Sequence, residues 1–66
     1  MRKIGIVGGG NMGEAILEHL RKKYFILVAE KDKTRSDDLY KKYKLKATDL
    51  KTLIESSDVV LIAVKP

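Results

Sequence analysis

The sequence predicts an α/β fold built on a parallel sheet, and three observations carry that prediction. Short apolar runs at residues 3–7, 24–29 and 59–64 alternate with stretches whose apolar residues recur at helical spacing. The second and third runs are apolar throughout, as strands covered on both faces must be. A glycine cluster, Gly8-Gly9-Gly10, joins the first run directly to the first helical stretch.

Each element has its own signal. The first strand takes residues 3–7 and ends at Val7. A helix is predicted over residues 11–23, with Met12, Ala15, Ile16 and Leu20 on its apolar stripe and Glu14 near its positive end. His19 lies beside that stripe and reads as a half-buried edge residue, because no carboxylate or second histidine stands at useful spacing for a site. Residues 24–29 form the second strand. Asp32 or Thr34 caps the second helix, which runs to about Tyr43 and is expected to bury Leu39, Tyr40 and Tyr43. Lys44 stands where glycine commonly closes a helix. Residues 45–47 make only a short edge strand. Thr48 or Asp49 caps a third helix with Leu50, Leu53 and Ile54 on one face, and Asp58 introduces the last strand, residues 59–64, which Lys65-Pro66 ends.

Gly8, Gly10 and Gly13 stand at the spacing G-x-G-x-x-G, between the first strand and the first helix. The first glycine allows the tight turn, the second lets the backbone approach a pyrophosphate, and the third permits close packing of helix on strand. The N–H groups of a helix's first turn lack intrahelical acceptors, and the helix dipole adds positive charge there, so an anion is favoured. A dinucleotide is therefore the expected ligand of this turn.

Right-handed crossovers order the strands 3-2-1-4: the first two helices lie on one face, and the third carries the chain back to strand four on the other side of strand one. This is an incomplete half of a doubly wound, Rossmann-type domain. Residues 59–64 would form a long apolar edge strand, which complete domains avoid, so residues 1–66 are expected to be the N-terminal part of a dinucleotide-binding domain in a longer protein.

Composition excludes several other classes. The chain is 44% hydrophobic and 35% charged, in keeping with a folded segment rather than a disordered one. It has no cysteine, which removes disulfides and thiolate metal sites. Glycines interrupt the first apolar run too early for a signal peptide, and no run approaches a membrane span, so a cytoplasmic protein without a membrane partner is expected. The net charge of +5 sits mainly in Arg21-Lys22-Lys23 and in Lys41, Lys42, Lys44 and Lys46. These lie at or just past predicted helix C-termini, where cations complement the dipole, and no nucleic-acid recognition motif accompanies them. Nucleic acid is not an expected partner.

From Gly8-Gly9-Gly10-Asn11-Met12-Gly13-Glu14-Ala15-Ile16 together with Ala63-Val64-Lys65-Pro66, the whole chain resembles the N-terminal part of pyrroline-5-carboxylate reductase. That family reduces the cyclic imine pyrroline-5-carboxylate to proline with a nicotinamide cofactor, usually NADPH. The resemblance implies cofactor contacts from Val7, Gly8, Gly9, Gly10, Asn11 and Met12, and from Ala63, Val64, Lys65 and Pro66. It also implies a C-terminal helical domain that binds the substrate and dimerises, so no catalytic residue is assigned within this chain. Where the family usually has an asparagine ahead of the third helix, this chain has Asp49-Leu50, and that contact is not carried over. Another small-substrate dehydrogenase, of the prephenate or 3-hydroxy acid type, or a non-catalytic dinucleotide sensor would share the opening motif.

Cofactor choice turns on the loop after the second strand. Glu30 follows Gly13 by 30 − 13 = 17 residues, close to where an acid binds the adenine ribose hydroxyls of NAD. Lys31, Lys33 and Arg35 follow at once, and cations there suit the 2′-phosphate of NADP. With the resemblance added, NADP is the expected cofactor and NAD the alternative; Glu30, Lys31 and Arg35 are the candidate residues.

Overall fold

The computed structural model describes residues 2–63. It runs β1 (Lys3–Val7), α1 (Asn11–Leu20), β2 (Phe25–Ala29), α2 (Lys33–Tyr43), α3 (Leu50–Ser56) and β3 (Val59–Ile62). The three strands form one parallel sheet in the order β2-β1-β3. Lys3 through Val7 pair in step with Phe25 through Ala29 on one side, and Ile4 through Val7 with Val59 through Ile62 on the other. The crossover logic therefore holds for β1, β2 and the last strand.

The expected edge strand at residues 45–47 does not form. A single ladder-like bond, from the Thr48 N–H to the Val28 carbonyl at 2.8 Å, runs from this segment to the outer edge of β2. Lys44, in the left-handed conformation at φ 58°, ends α2 and turns the chain, and only the Thr48 N–H then reaches β2. The last strand is seen through Ile62, and the part of its expected span at Val64 lies outside the described residues.

Side-chain alternation along β1 assigns the two faces. Ile4 and Ile6 are buried in one cluster with Leu17 of α1, Leu39 of α2, Ile26, Val28 and Ala63. Gly5, out of phase with them, faces α3: a Cβ there would lie 2.5 Å from Leu53 Cδ2. Leu53 is fully buried, and the Ser57 hydroxyl is buried nearby with no hydrogen-bond partner among the described residues.

The helices bury some of the residues expected and leave others exposed. On α1 the buried positions are Gly13 and Leu17, with Ile16 and Leu20 at the margin; Met12 is 62% exposed, and Ala15 and His19 are exposed too. The inward face is offset because Gly13 packs against the Gly8 carbonyl of the turn, a contact that hydrophobic periodicity does not register. The helix also stops at Leu20, where the Lys23 and Tyr24 N–H groups both turn back to the Leu20 carbonyl. On α2, Leu39 is buried and Tyr43 half-buried, while Tyr40 is exposed. On α3, Leu50 and Ile54 stay exposed, since its 7 residues present only Leu53 to the sheet. Asp32 and Asp49 are the caps of α2 and α3. No helix among the described residues is long and apolar enough to cross a membrane.

Candidate functional site

The carboxyl ends of the strands meet at the glycine turn. The Gly8 N–H donates to the Ala29 carbonyl at 2.9 Å, and the Ala63 N–H donates to the Val7 carbonyl at 2.8 Å. Gly8 has φ 104°, which side-chain-bearing residues rarely adopt, so the turn depends on glycine there. Gly13 lies so close beneath the Gly8 carbonyl that a Cβ would overlap it.

Gly10 is the N-cap of α1 and, having no side chain, caps none of the first-turn N–H groups. The caps of α2 and α3 differ: Asp32 accepts from the Thr34 and Arg35 N–H groups, and Asp49 from the Thr52 N–H. A Cβ on Gly10 would find no atom within 4 Å. The N-terminus of α1 thus presents uncapped donors and positive dipole to open space, which fits the phosphates of a dinucleotide.

That space is a cleft of about 350 Å³ lined by Gly8, Gly10, Asn11, Met12, Glu30, Arg35 and Ala63. The structure brings these expected site residues together from the glycine turn, α1, the loop after β2, α2 and the end of β3. Val7 stands half-buried at the end of β1, while Gly9 and Gly13 are buried behind the turn. Lys31 is exposed and does not line the cleft. Val64, Lys65 and Pro66 lie outside the described residues. A depression of similar volume, about 350 Å³, lies against Ser36, Asp37, Tyr40, Lys46 and Ala47. It shares no residue with the glycine turn and includes no helix N-terminus.

Two arrangements around the cleft went unread in the sequence. Glu30 accepts hydrogen bonds from the Gly9 N–H and from the Asp32 N–H, the latter at 2.8 Å. Beside the cleft, Glu14 ties α1 to α2 through Lys42 Nζ at 3.1 Å and the Tyr43 hydroxyl at 2.9 Å. The Lys42 hydrogen bond, then that of Tyr43, holds the Glu14 carboxyl below its usual range. The Tyr43 hydroxyl also lies 2.8 Å from Glu18 Oε1, and burial together with the Glu18 and Glu14 bonds pushes it well above its ordinary pKa. A sequence shows no direct signal for pairs 21 to 29 residues apart. Among the described residues no group of His, Cys, Asp or Glu side chains could hold a metal ion.

A parallel sheet that runs through a glycine turn into an uncapped helix defines a dinucleotide-binding α/β segment. Comparison with known proteins sharpens this class: residues 3–66 match the family described as NADP oxidoreductase coenzyme F420-dependent, and the chain belongs to that family. It is also 36% identical over 70 aligned positions to pyrroline-5-carboxylate reductase of Mycobacterium tuberculosis, covering 100% of this chain and 24% of the relative. The reductase of Aquifex aeolicus is 40% identical over 67 positions, covering 97% of this chain and 25% of the relative. That of Synechocystis is 41% identical over 70 positions, covering 97% and 26%. The resemblance to the N-terminal part of these reductases thus extends across the chain, which spans about a quarter of the length of the curated relatives it matches. No solved structure matches. Family and site together point to a nicotinamide dinucleotide as the ligand of this cleft.

Proposed function

We propose that this chain is the cofactor-binding part of a pyrroline-5-carboxylate reductase, the enzyme that reduces the cyclic imine pyrroline-5-carboxylate to proline in proline biosynthesis. The observation that carries this reading is the open position at Gly10 over the uncapped start of α1, in a chain similar along its length to such reductases. The amides of Gly10, Asn11 and Met12 hold the pyrophosphate, and Arg35, in the cleft wall, meets the 2′-phosphate of NADPH. Ala63, at the end of β3, lines the same cleft and contacts the cofactor. The bound nicotinamide supplies the hydride. Substrate binding and homo-oligomer formation belong to a C-terminal helical domain, so the 66-residue segment alone is inactive, and the intact enzyme works in the cytoplasm.

The test is oxidation of NADPH or NADH by the purified intact protein in the presence of pyrroline-5-carboxylate. Turnover with prephenate or a 3-hydroxy acid instead would reassign the substrate. Dinucleotide binding without turnover of any of these would favour a sensor. Activity of the isolated segment would overturn the division between cofactor and substrate domains.

A further inference from the structure

Glu30 follows Ala29 at the end of β2 and is half-buried. Its oxygens are used separately: Oε1 accepts from the Gly9 N–H, and Oε2 accepts from the Asp32 N–H at 2.8 Å. Asp32 in turn accepts from the N–H groups of Thr34 at 2.9 Å and Arg35 at 3.2 Å. Two carboxylates thereby gather backbone donors along one short path from the glycine turn to the first turn of α2. Gly9 is shaped for this contact. A Cβ there would meet Leu39 Cδ1 at 2.6 Å, Glu30 Oε1 at 3.3 Å and Arg35 Cγ at 3.4 Å. Gly9 is not one of the three spaced glycines of the motif, so the pyrophosphate gives no reason for a glycine at this position. The packing of Glu30 and Leu39 does.

We infer that Glu30 is a positioning residue, whose carboxylate fixes the glycine turn against the start of α2 and so sets the turn's amides relative to Arg35. Glu30 keeps unused lone pairs, but the Gly9 and Asp32 N–H groups already fix the orientation of its carboxylate toward the protein backbone. A carboxylate already holding two N–H donors also presents less uncompensated negative charge to the cleft. An acid at the end of β2 is then compatible with a phosphate beside Arg35. The assignment rests on the cleft binding a dinucleotide, and its test separates the two ideas.

The experiment uses the intact protein with Glu30→Ala and Glu30→Gln. NADPH and NADH are titrated against each, and amide hydrogen exchange is followed by mass spectrometry without nucleotide. Glu30→Ala should raise the Kd of both cofactors by a similar factor, about tenfold, as expected for lost bonds to a charged acceptor. Exchange at Gly9 and Asp32 should quicken by about tenfold or more. Glu30→Gln keeps one carbonyl acceptor and should recover part of both effects. A loss confined to NADH, with exchange at Gly9 unchanged, would make Glu30 a ribose acceptor and overturn the inference, as would unchanged affinity for both cofactors. If Glu30→Ala does not fold, Glu30→Gln decides by the same two readouts. Failure of the unaltered protein to bind either nucleotide overturns the proposed function instead, and the exchange measurement still decides whether Glu30 holds the turn.

Discussion

Gly13 packs directly on the carbonyl of Gly8: a Cβ at Gly13 would overlap the carbonyl oxygen and lie 3.0 Å from the carbonyl carbon, with the Ala63 Cβ at 3.7 Å. Neither backbone carbonyl nor helix can yield without moving the turn. A glycine inside a helix normally costs stability relative to alanine, by about 1 kcal/mol. Here the contact reverses that sign.

Gly13→Ala is accordingly expected to destabilise the fold by about 1–3 kcal/mol, the usual range for overpacking. Gly10→Ala has open space and an ordinary φ of −73°, so it should leave stability nearly unchanged. It should nevertheless weaken dinucleotide binding at least about tenfold, roughly 1.4 kcal/mol, because the added carbon enters the cleft. Thermal melts and cofactor titrations of both variants check this split. Equal melting temperatures would remove the steric role of Gly13.

The inward face of α1 is tested by neighbouring residues. Leu17 is 1% exposed, whereas Ile16 lies at the margin of the core. Leu17→Ala should cost about 2–5 kcal/mol and Ile16→Ala about half as much or less. Urea midpoints of the intact protein measure the difference. The reverse order would place the stripe of Met12, Ala15 and Ile16 inward after all.

Acid should loosen the tie between α1 and α2. The folded-state pKa of Glu14 is depressed, first by Lys42 and then by Tyr43. Its stabilisation is therefore complete above the ordinary glutamate range and is lost as pH falls through the lowered value. Because Lys42 is 57% exposed, the effect should be small, about 0.2–1 kcal/mol. Unfolding midpoints of the parent and Glu14→Gln, followed from neutral pH into acid, should converge at the acid end. A gap that does not change with pH would show that the carboxylate charge contributes nothing.

Arg35→Ala should weaken NADPH more than NADH, since only NADPH carries the extra phosphate. Arg35 is half-buried, so a several-fold change, roughly 1 kcal/mol, is expected. Paired titrations decide it, and equal weakening would deny Arg35 the phosphate.

Most of the cleft could be read from residues close in sequence, because Gly8, Gly10 and Gly13 act through local backbone geometry. The same holds for the Asp32 and Asp49 caps, which bond N–H groups only two or three residues away. The face of α1 could not be read this way: its tightest contact belongs to a residue without a side chain, while the visible apolar stripe partly faces outward. Residues 45–47 have the apolar-polar-apolar pattern of a strand, but three residues after a left-handed turn yield one sheet-like bond. Glu30 stood at the expected end of β2, and only the fold shows that the Gly9 amide already occupies one of its oxygens.

The central place of β1 has a consequence for the order in which the chain is made. Within this segment β1 needs neighbours on both sides, and its second neighbour, β3, follows it only after β2 and three helices. Lys3 and Asp58 close this circuit across 55 residues: the Lys3 N–H donates to Asp58 Oδ2 at 2.8 Å, and the Asp58 N–H returns to the Lys3 carbonyl at 2.7 Å. Until Val59 through Ile62 leave the ribosome, a nascent chain can pair β1 with β2 alone, and the Ile4 to Val7 edge waits exposed. Such distant pairing delays closure of the sheet. During that interval the newborn segment offers its own central strand to whatever else in the cell can pair with it.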